Sequence, residues 1–429
     1  MRNRFDYILI GLLTLMAFGS IGGFWQPVRV AELILLPWMA YDLWRTRPCI
    51  TTTAKWIGGF FAGWWLWAAV SLIWACDLTA SAKYVVHLAI YMMSFAEILW
   101  LGHRAKKPLQ SLTIGWLLAA MLTVPLAFRE FITDHHLPTS VRQCLYVRVT
   151  DTDIIPRPFA AGTFDNINAY NVLLGCTFAM LMLALMRSHR WRTAGYGLAC
   201  IFIIVILLCN GSRGALLAVI IGLVALTLLA RRWTGRTIGG ALLFLVGLWI
   251  GLGLSGHHVP SFLDAWSEET RQEWRIKMDM DWDGDATSPL AGRLNNNGLQ
   301  DPSRMDLWKA CGEEIIASRF LGVGAANYVC ALEKHPESLY KAPHNMWLET
   351  LMQFGIVIFI GFVVFLVWPL WRCRRDRTQR TDCLTLFLIL LPMTIVDSTF
   401  LLKAHTWVLF ATLYLITNAN ANANDRVVD

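Results

Sequence analysis

The stretch 347–371 reads WLETLMQFGIVIFIGFVVFLVWPLW and contains one charged side chain, Glu349. An α-helix needs about 20 mainly apolar residues to cross the hydrocarbon core of a bilayer, so this stretch predicts a membrane-spanning helix. Arg372, Arg374 and Arg375 follow it at once. Because loops rich in Lys and Arg stay in the cytoplasm, the helix is predicted to end on that side.

Further apolar runs predict an all-α polytopic membrane protein with about 12 transmembrane helices. Of the 429 residues, 56% are hydrophobic and 16% are charged, whereas soluble domains carry about 25% charged residues. The 21 Trp and 22 Phe residues also exclude a disordered chain. The other runs lie near 7–25, 28–44, 55–75, 84–102, 109–128, 168–186, 194–209, 215–230, 237–254, 383–398 and 404–418.

Basic residues alternate between the connections that join these runs. They cluster near 45–55, 104–107, 187–192, 231–236 and 372–380. The net charge of +7 therefore indicates orientation in a membrane rather than nucleic-acid binding, and it predicts both termini in the cytoplasm. The opposite short connections hold only Arg29, Lys83, Arg213 and Lys403.

Two long connections, 129–167 and 255–346, fall on the opposite, periplasmic side. Loops longer than about 15 residues are usually functional or disordered, and the second has helical patterns of its own. The sequence thus predicts four parts. These are transmembrane helices 1–9 in 1–254, a large partly helical periplasmic loop in 255–346, transmembrane helices 10–12 in 347–418 and a disordered cytoplasmic tail in 419–429.

Arginines at two outer turns are candidate anion ligands. Arg213 lies in the short turn Asn210–Gly214, on the side where short loops avoid positive charge. This placement favours a bound anion, the alternative being an arginine that anchors among lipid headgroups. Arg157, before the turn-forming stretch 162–168, is a further candidate, with a solvated loop arginine as its alternative.

Arg304 lies in the large loop within Asp301-Pro302-Ser303-Arg304. Asp is a favoured N-cap and Pro fits the first helical position, so a helix is predicted to begin here. The helix dipole disfavours a cation in the first turn, unless an anion binds there to the free backbone N–H groups. The alternative is a surface arginine paired with Asp301 or Asp306.

Pro343-His344-Asn345 opens the tenth predicted span. Pro343 fits the first helical position, which would place His344 in the first turn, where the dipole favours the neutral imidazole of a general base. Glu349 lies four residues after Asn345 on the same face, and a carboxylate inside the membrane edge normally has a partner or a task. A polar interfacial histidine without catalytic function is the alternative.

Other motifs point less clearly to a function. The stretch Asp279–Asp285 begins like a calcium loop but has Leu290 at position twelve in place of the bidentate Glu. Spaced Cys and His ligands of a structural metal site are not evident. Cys311 and Cys330 share the outer loop, where they could form a disulfide or remain free buried thiols.

Arginines beside helix starts and one neutral histidine suggest a lipid-linked diphosphate at the outer membrane surface. The arginine guanidinium binds two phosphate oxygens at once, while the histidine could take a proton from an incoming hydroxyl. No nucleophilic Ser or Cys lies beside a base in the sequence, which favours a single inverting displacement at the sugar carbon.

The chain resembles the O-antigen ligase and polymerase superfamily, and within it the lipopolysaccharide O-antigen ligase family most. The resemblance rests on motifs between about 195 and 360 and on the topology of the whole chain. The motifs are Asn210-Gly-Ser-Arg213-Gly-Ala-Leu-Leu217, Arg304 with Leu307-Trp308, Leu321-Gly-Val-Gly324-Ala-Ala-Asn327-Tyr328, and Pro343-His344-Asn345 with Gly355.

The resemblance implies a GT-C-type membrane glycosyltransferase of the bacterial inner membrane, whose active site faces the periplasm. Such an enzyme transfers O-antigen from undecaprenyl pyrophosphate to a lipid A–core sugar, with no metal or nucleotide cofactor. By motif, His344 would be the base and Arg213 and Arg304 the diphosphate ligands. Arg157 is added on chemical grounds, and Asn345 and Glu349 would support the site.

Three related or competing functions stay open. An O-antigen polymerase usually spreads its periplasmic mass over two comparable loops, whereas here one dominates. A protein O-oligosaccharyltransferase usually carries a C-terminal extension beyond the last span. An anion or lipid transporter, which belongs to a different class, would need charges along the spans, and these are nearly free of charge away from their ends.

Overall fold

A computed structural model describes residues 3–19, 26–48, 51–133, 137, 147–149, 154–156, 160–164, 167–187, 190–210, 212–230, 242, 245–247, 250, 302–335, 342–395 and 400–418. Within these ranges the regular secondary structure is helical apart from one short antiparallel pair of strands. These strands are β1 (Val147–Val149) and β2 (Ile154–Pro156). The helices are α1 (Arg4–Thr14), α2 (Pro27–Thr46), α3 (Thr52–Val70), α4 (Leu78–Arg104), α5 (Pro108–Thr133), α6 (Ile167–Arg187), α7 (Arg190–Cys209), α8 (Arg213–Ala230), α9 (Pro302–Ala317), α10 (Tyr328–Glu333), α11 (Met346–Arg372), α12 (Arg377–Met393) and α13 (Ala404–Asn418).

Five helices in the described part of the chain are long and apolar enough to cross a membrane. They lie within Thr52–Trp74, Leu78–Arg104, Pro108–Thr133, Ile167–Leu185 and Met346–Arg375. Each coincides with a predicted span, which supports a multi-pass membrane protein.

The number of spans, twelve, stays a prediction. Helix α1 ends at Thr14, before the end of the predicted run 7–25. Helix α2 is 20 residues long but carries Arg29, Glu32 and Asp42. Its composition is therefore more polar than that of the five candidate membrane-spanning helices. The ninth predicted run, 237–254, lies mostly outside the described residues.

The chain divides into two compact units. The first contains Met1–Met16, Pro27–Gly115 and Ser303–Asp429, and the second contains Ala17–Gln26 and Trp116–Pro302. In the first unit, the fully buried ring of Phe365 on α11 is the centre of an aromatic core. Its centroid lies 5.3–5.7 Å from those of Phe61 on α3, Phe95 on α4, and Phe410 and Tyr414 on α13, spacings typical of favourable aromatic pairs.

Helix α6 is the central helix of the second unit. It packs against α7 and α8, and almost all of its apolar segment is buried. This burial is expected, because a helix with apolar residues on all its faces is stable only when all its faces are covered.

A kink interrupts α11 at Gly355, where φ is +79° and ψ is 179°. The kink breaks the regular pattern in which the N–H of Ile356 would bond to the carbonyl of Met352. The Ile356 N–H instead donates to the Phe320 carbonyl at 2.9 Å, while the Met352 carbonyl accepts from the Val323 N–H at 2.8 Å. The segment 320–327 thereby satisfies the backbone groups that the kink frees, as buried backbone groups require.

Candidate functional site

Helix α11 begins at Met346, with Asn345 as its N-cap. The Asn345 side-chain oxygen accepts hydrogen bonds from the N–H groups of Trp347 at 3.0 Å and Leu348 at 3.3 Å. The expectation that Pro343 is the first helical residue is therefore wrong. Asparagine is among the best N-cap residues because its side chain satisfies free N–H groups of the first turn.

His344 lies immediately before the cap in an unusual backbone conformation. Its φ is +45°, and its side chain is half-buried. Residues other than glycine rarely adopt this left-handed region, and those that do cluster at functional sites where the surrounding structure holds them. His344 is thus outside the first helical turn, contrary to expectation, in a constrained turn at the start of α11.

Helix α9 reaches the His344 turn through Trp308. The indole N–H of Trp308 donates to the carbonyl of Pro343 at 3.3 Å. Helix α9 begins at Pro302, as predicted, so Arg304 lies in its first turn. Trp308 follows Arg304 by four residues, about one helical turn later along α9.

Glu349 is a fully buried carboxylate one turn into α11. It accepts hydrogen bonds from the Tyr84 hydroxyl at 3.3 Å and the Gln353 side-chain amide at 3.2 Å. The same amide also donates to the Tyr84 hydroxyl at 3.2 Å. This network ties α11 to α4, and a supporting role for Glu349 at a functional site stays a prediction.

A disulfide joins Cys76, just before α4, to Cys330 on α10, with 6.6 Å between the two Cα atoms. Pairing of Cys330 with Cys311 is therefore wrong, because Cys311 is a free, buried thiol. Burial raises the pKa of the Cys311 thiol to about 12. Next to the disulfide, the Asn327 side-chain oxygen accepts from the Cys76 N–H at 3.2 Å and the Ser81 hydroxyl at 3.3 Å.

Arg213 is the first residue of α8 and belongs to the second unit. Three residues earlier, Asn210 accepts from the Ala160 N–H at 2.8 Å and donates to the Ala160 carbonyl at 2.9 Å and the Asn171 side chain at 2.8 Å. These bonds hold the segment that follows Arg157 against the turn that precedes Arg213. Arg157 itself lies outside the described residues.

Glu130 at the end of α5 fixes the same segment from another direction. Its carboxylate accepts from the N–H groups of Ala161 at 2.9 Å and Gly162 at 2.8 Å. Hydrogen bonds that two successive N–H groups donate to one carboxylate are strong because the acceptor is charged. The segment 160–164 is therefore an ordered part of the second unit.

Sequence reasoning placed His344, Asn345, Glu349 and Arg304 at one site. All four belong to the first unit, and Trp308 of α9 contacts Pro343, but a shared site that includes Arg304 stays a prediction. Arg213 belongs to the other unit, so its convergence with His344 stays a prediction. Within the described ranges, no group of three or more His, Cys, Asp or Glu side chains could hold a metal ion. The stretch Asp279–Asp285 lies outside those ranges.

Comparison with known proteins confirms the family resemblance. Residues 198–366 match the model of the O-antigen ligase family, Wzy_C. The chain is also 21% identical over 310 residues to the teichuronic acid biosynthesis protein TuaE of Bacillus subtilis (strain 168), an alignment that covers 71% of this chain. The alignment spans 58% of that relative, less than two thirds of its length.

Proposed function

We propose that this chain, whose residues 198–366 match the O-antigen ligase family, is a lipopolysaccharide O-antigen ligase. It would transfer a glycan from undecaprenyl pyrophosphate to a sugar hydroxyl of lipid A–core. The observation that carries the proposal is the constrained turn at His344, whose φ is +45°. This turn lies inside the family match, together with Arg213 and Arg304.

The reaction is a single displacement that inverts the anomeric carbon. His344 takes the proton from the acceptor hydroxyl as its oxygen forms a bond to that carbon. The bond from the carbon to the diphosphate oxygen breaks, and undecaprenyl diphosphate leaves with the electron pair. Arg213 and Arg304, with Arg157 as a further ligand, stabilise the charge that develops on the diphosphate. Asn345 and Glu349 hold the helix start that presents the base, and no metal or other cofactor is assigned.

The proposed location is the bacterial inner membrane, with both termini in the cytoplasm and the active site facing the periplasm. The disulfide between Cys76 and Cys330 supports this orientation, because disulfides persist in oxidising compartments such as the periplasm. Both cysteines lie on the predicted periplasmic side, before α4 and in the large loop. A GT-C-type architecture of about twelve spans is part of the same proposal.

A second candidate function is O-antigen polymerase, in which the acceptor is another lipid-linked glycan. It is favoured by the likeness to TuaE, whose name refers to teichuronic acid and mentions no lipid A–core. Both candidates use the same donor and the same base, and they differ in the acceptor hydroxyl.

Competition between acceptors separates the two functions. The purified protein is reconstituted in liposomes with an undecaprenyl-pyrophosphate glycan and lipid A–core, with excess donor as the competing acceptor. A ligase yields lipid A–core that carries the glycan, detected by mass spectrometry. Lengthened lipid-linked glycan with unmodified lipid A–core would instead identify a polymerase.

A further inference from the structure

The turn that carries His344 is held on both sides by residues of other helices. On its N-terminal side, the Trp308 indole on α9 donates to the Pro343 carbonyl at 3.3 Å. On its C-terminal side, the Met346 N–H donates to the carbonyl of Thr394 at 2.9 Å. The two bonds are made to backbone groups within two residues of His344.

Thr394, at the end of α12, makes a second bond to the same helix start. It is fully buried, and its hydroxyl accepts from the Trp347 indole N–H at 3.0 Å. The hydroxyl proton is used in a bond to the Leu391 carbonyl at 2.6 Å. A hydroxyl has one proton and two lone pairs, so this bond orients the oxygen to accept from Trp347.

These contacts constrain the backbone on both sides of His344. A histidine with φ of +45° persists only where its surroundings over-determine the backbone. Trp308 and Thr394 supply that constraint from two elements, α9 and α12, which lie far from each other in sequence. The neighbouring Asn345 adds the helix cap, a local bond that would form in an isolated helix as well.

We infer that Trp308 and Thr394 are positioning residues that hold His344 in the orientation needed to accept the acceptor proton. The inference rests on the proposed function, because it assigns these residues a role through the base. Neither residue needs to touch the substrate. Their loss therefore lowers the rate of the chemical step and leaves capture of the donor intact.

The test compares two bond-deleting variants. Trp308→Phe keeps a ring on α9 but removes the indole N–H that bonds to the Pro343 carbonyl. Thr394→Val keeps the branched shape and the backbone carbonyl that accepts from Met346, but it removes the hydroxyl that accepts from the Trp347 indole. We expect kcat to fall about 10- to 100-fold in each variant. A small misplacement of a catalytic group lowers the rate by a factor of this order. The KM for the donor is expected to stay unchanged, because the variants lose an interaction that acts only in the transition state.

Two matched controls separate positioning from stability. Thr394→Ser restores the hydroxyl and is expected to retain wild-type kcat. Trp407→Phe on α13 removes an equivalent buried indole bond, made to the Leu401 carbonyl at 2.8 Å, and is also expected to retain it. Apparent melting temperatures confirm that each variant is folded.

The outcomes distinguish this inference from the proposed function. Wild-type kcat in both Trp308→Phe and Thr394→Val, with an inactive His344→Ala, would overturn the positioning role alone. An equal loss of kcat in Trp407→Phe would also overturn it, because the effect would then be general. An active His344→Ala would overturn the base assignment and the positioning role together.

Discussion

Gly322 lies so close to Gly355 that a Cβ atom on Gly322 would be 2.7 Å from the Gly355 backbone nitrogen. Both glycines have positive φ, +90° and +79°. Their contact joins the segment 320–327 to the kink in α11, which lies ten residues after Asn345, the N-cap of that helix. The Gly-Val-Gly and Gly355 parts of the family motif thus have a structural role, since only glycine permits this close approach.

Gly355→Ala is expected to destabilise the protein. A Cβ there would lie 2.5 Å from the Phe320 and Leu321 carbonyl oxygens, and the backbone conformation alone costs about 1–3 kcal/mol for a residue other than glycine. We expect a lower apparent melting temperature in detergent and a lower yield of monodisperse protein. The matched control is Gly312→Ala on α9, where nothing lies within 4 Å of the added carbon. Equal melting temperatures for the two variants would refute this explanation of the kink.

Loss of the disulfide in Cys76→Ser or Cys330→Ser is expected to lower stability. The bond closes a loop of 254 residues, and removal of a native disulfide typically costs about 2–5 kcal/mol. Reductant should lower the apparent melting temperature of the wild type and leave that of either variant unchanged. Cys311→Ala serves as the control and should stay sensitive to reductant. Alkylation of both Cys76 and Cys330 without reductant would contradict the pairing.

Arg213→Ala and Arg304→Ala are each expected to weaken capture of the undecaprenyl-pyrophosphate donor. Hydrogen bonds to charged groups contribute about 1.5–3 kcal/mol, which corresponds to an increase in Kd of about 10- to 100-fold. Lys in place of either Arg should restore only part of the affinity, because it lacks the planar fork. Arg375→Ala, an exposed arginine on the predicted cytoplasmic side, is the control. An unchanged Kd in both alanine variants would mean that the arginines have another function.

Asp6→Asn is expected to destabilise the junction between α1 and α5 at neutral pH. Burial acts to raise the pKa of Asp6, but bonds from the N–H groups of Asn3, Lys107 and Lys106 and the Ser111 hydroxyl hold it below its usual 3.8. A lowered pKa means that the stabilisation is complete above pH 3.8 and is lost as the pH falls through the folded value.

The melting temperature of the wild type should therefore exceed that of Asp6→Asn by a constant margin between about pH 5 and 7. The margin should narrow below about pH 4 as the carboxyl is protonated. Thermal melts across this pH range in detergent provide the measurement. A margin that widens on acidification would show that the charge of Asp6 is not stabilising.

Local signals predicted the helices well. The apolar runs of α3, α4, α5, α6 and α11 coincide with helices because the requirement to cross a membrane is stronger than any local preference. The start of α9 at Pro302 also follows from its neighbours, since a proline after aspartate is a typical helix start. At α11 the same rule failed, because Asn345 is a better cap than the residue before Pro343.

Contacts between distant segments were not predictable from one sequence. Cys76 and Cys330 are 254 residues apart, and a single glycine in an apolar run, such as Gly355, does not reveal a kink. The hydrogen bond from Trp308 to Pro343 joins two segments, and the local sequence pattern of neither segment indicates that they are in contact. Sequence therefore identified His344 as a candidate, whereas its strained turn and the residues that hold it required the fold.

The most direct test of the proposed function is glycan transfer by His344→Ala. The variant is reconstituted with an undecaprenyl-pyrophosphate glycan and lipid A–core, beside the wild type and His103→Ala, which removes an exposed histidine at the end of α4. We predict that His344→Ala inserts, binds the donor and transfers no glycan, while His103→Ala transfers it at the wild-type rate. Transfer by His344→Ala at the wild-type rate would contradict the role of His344 as the base.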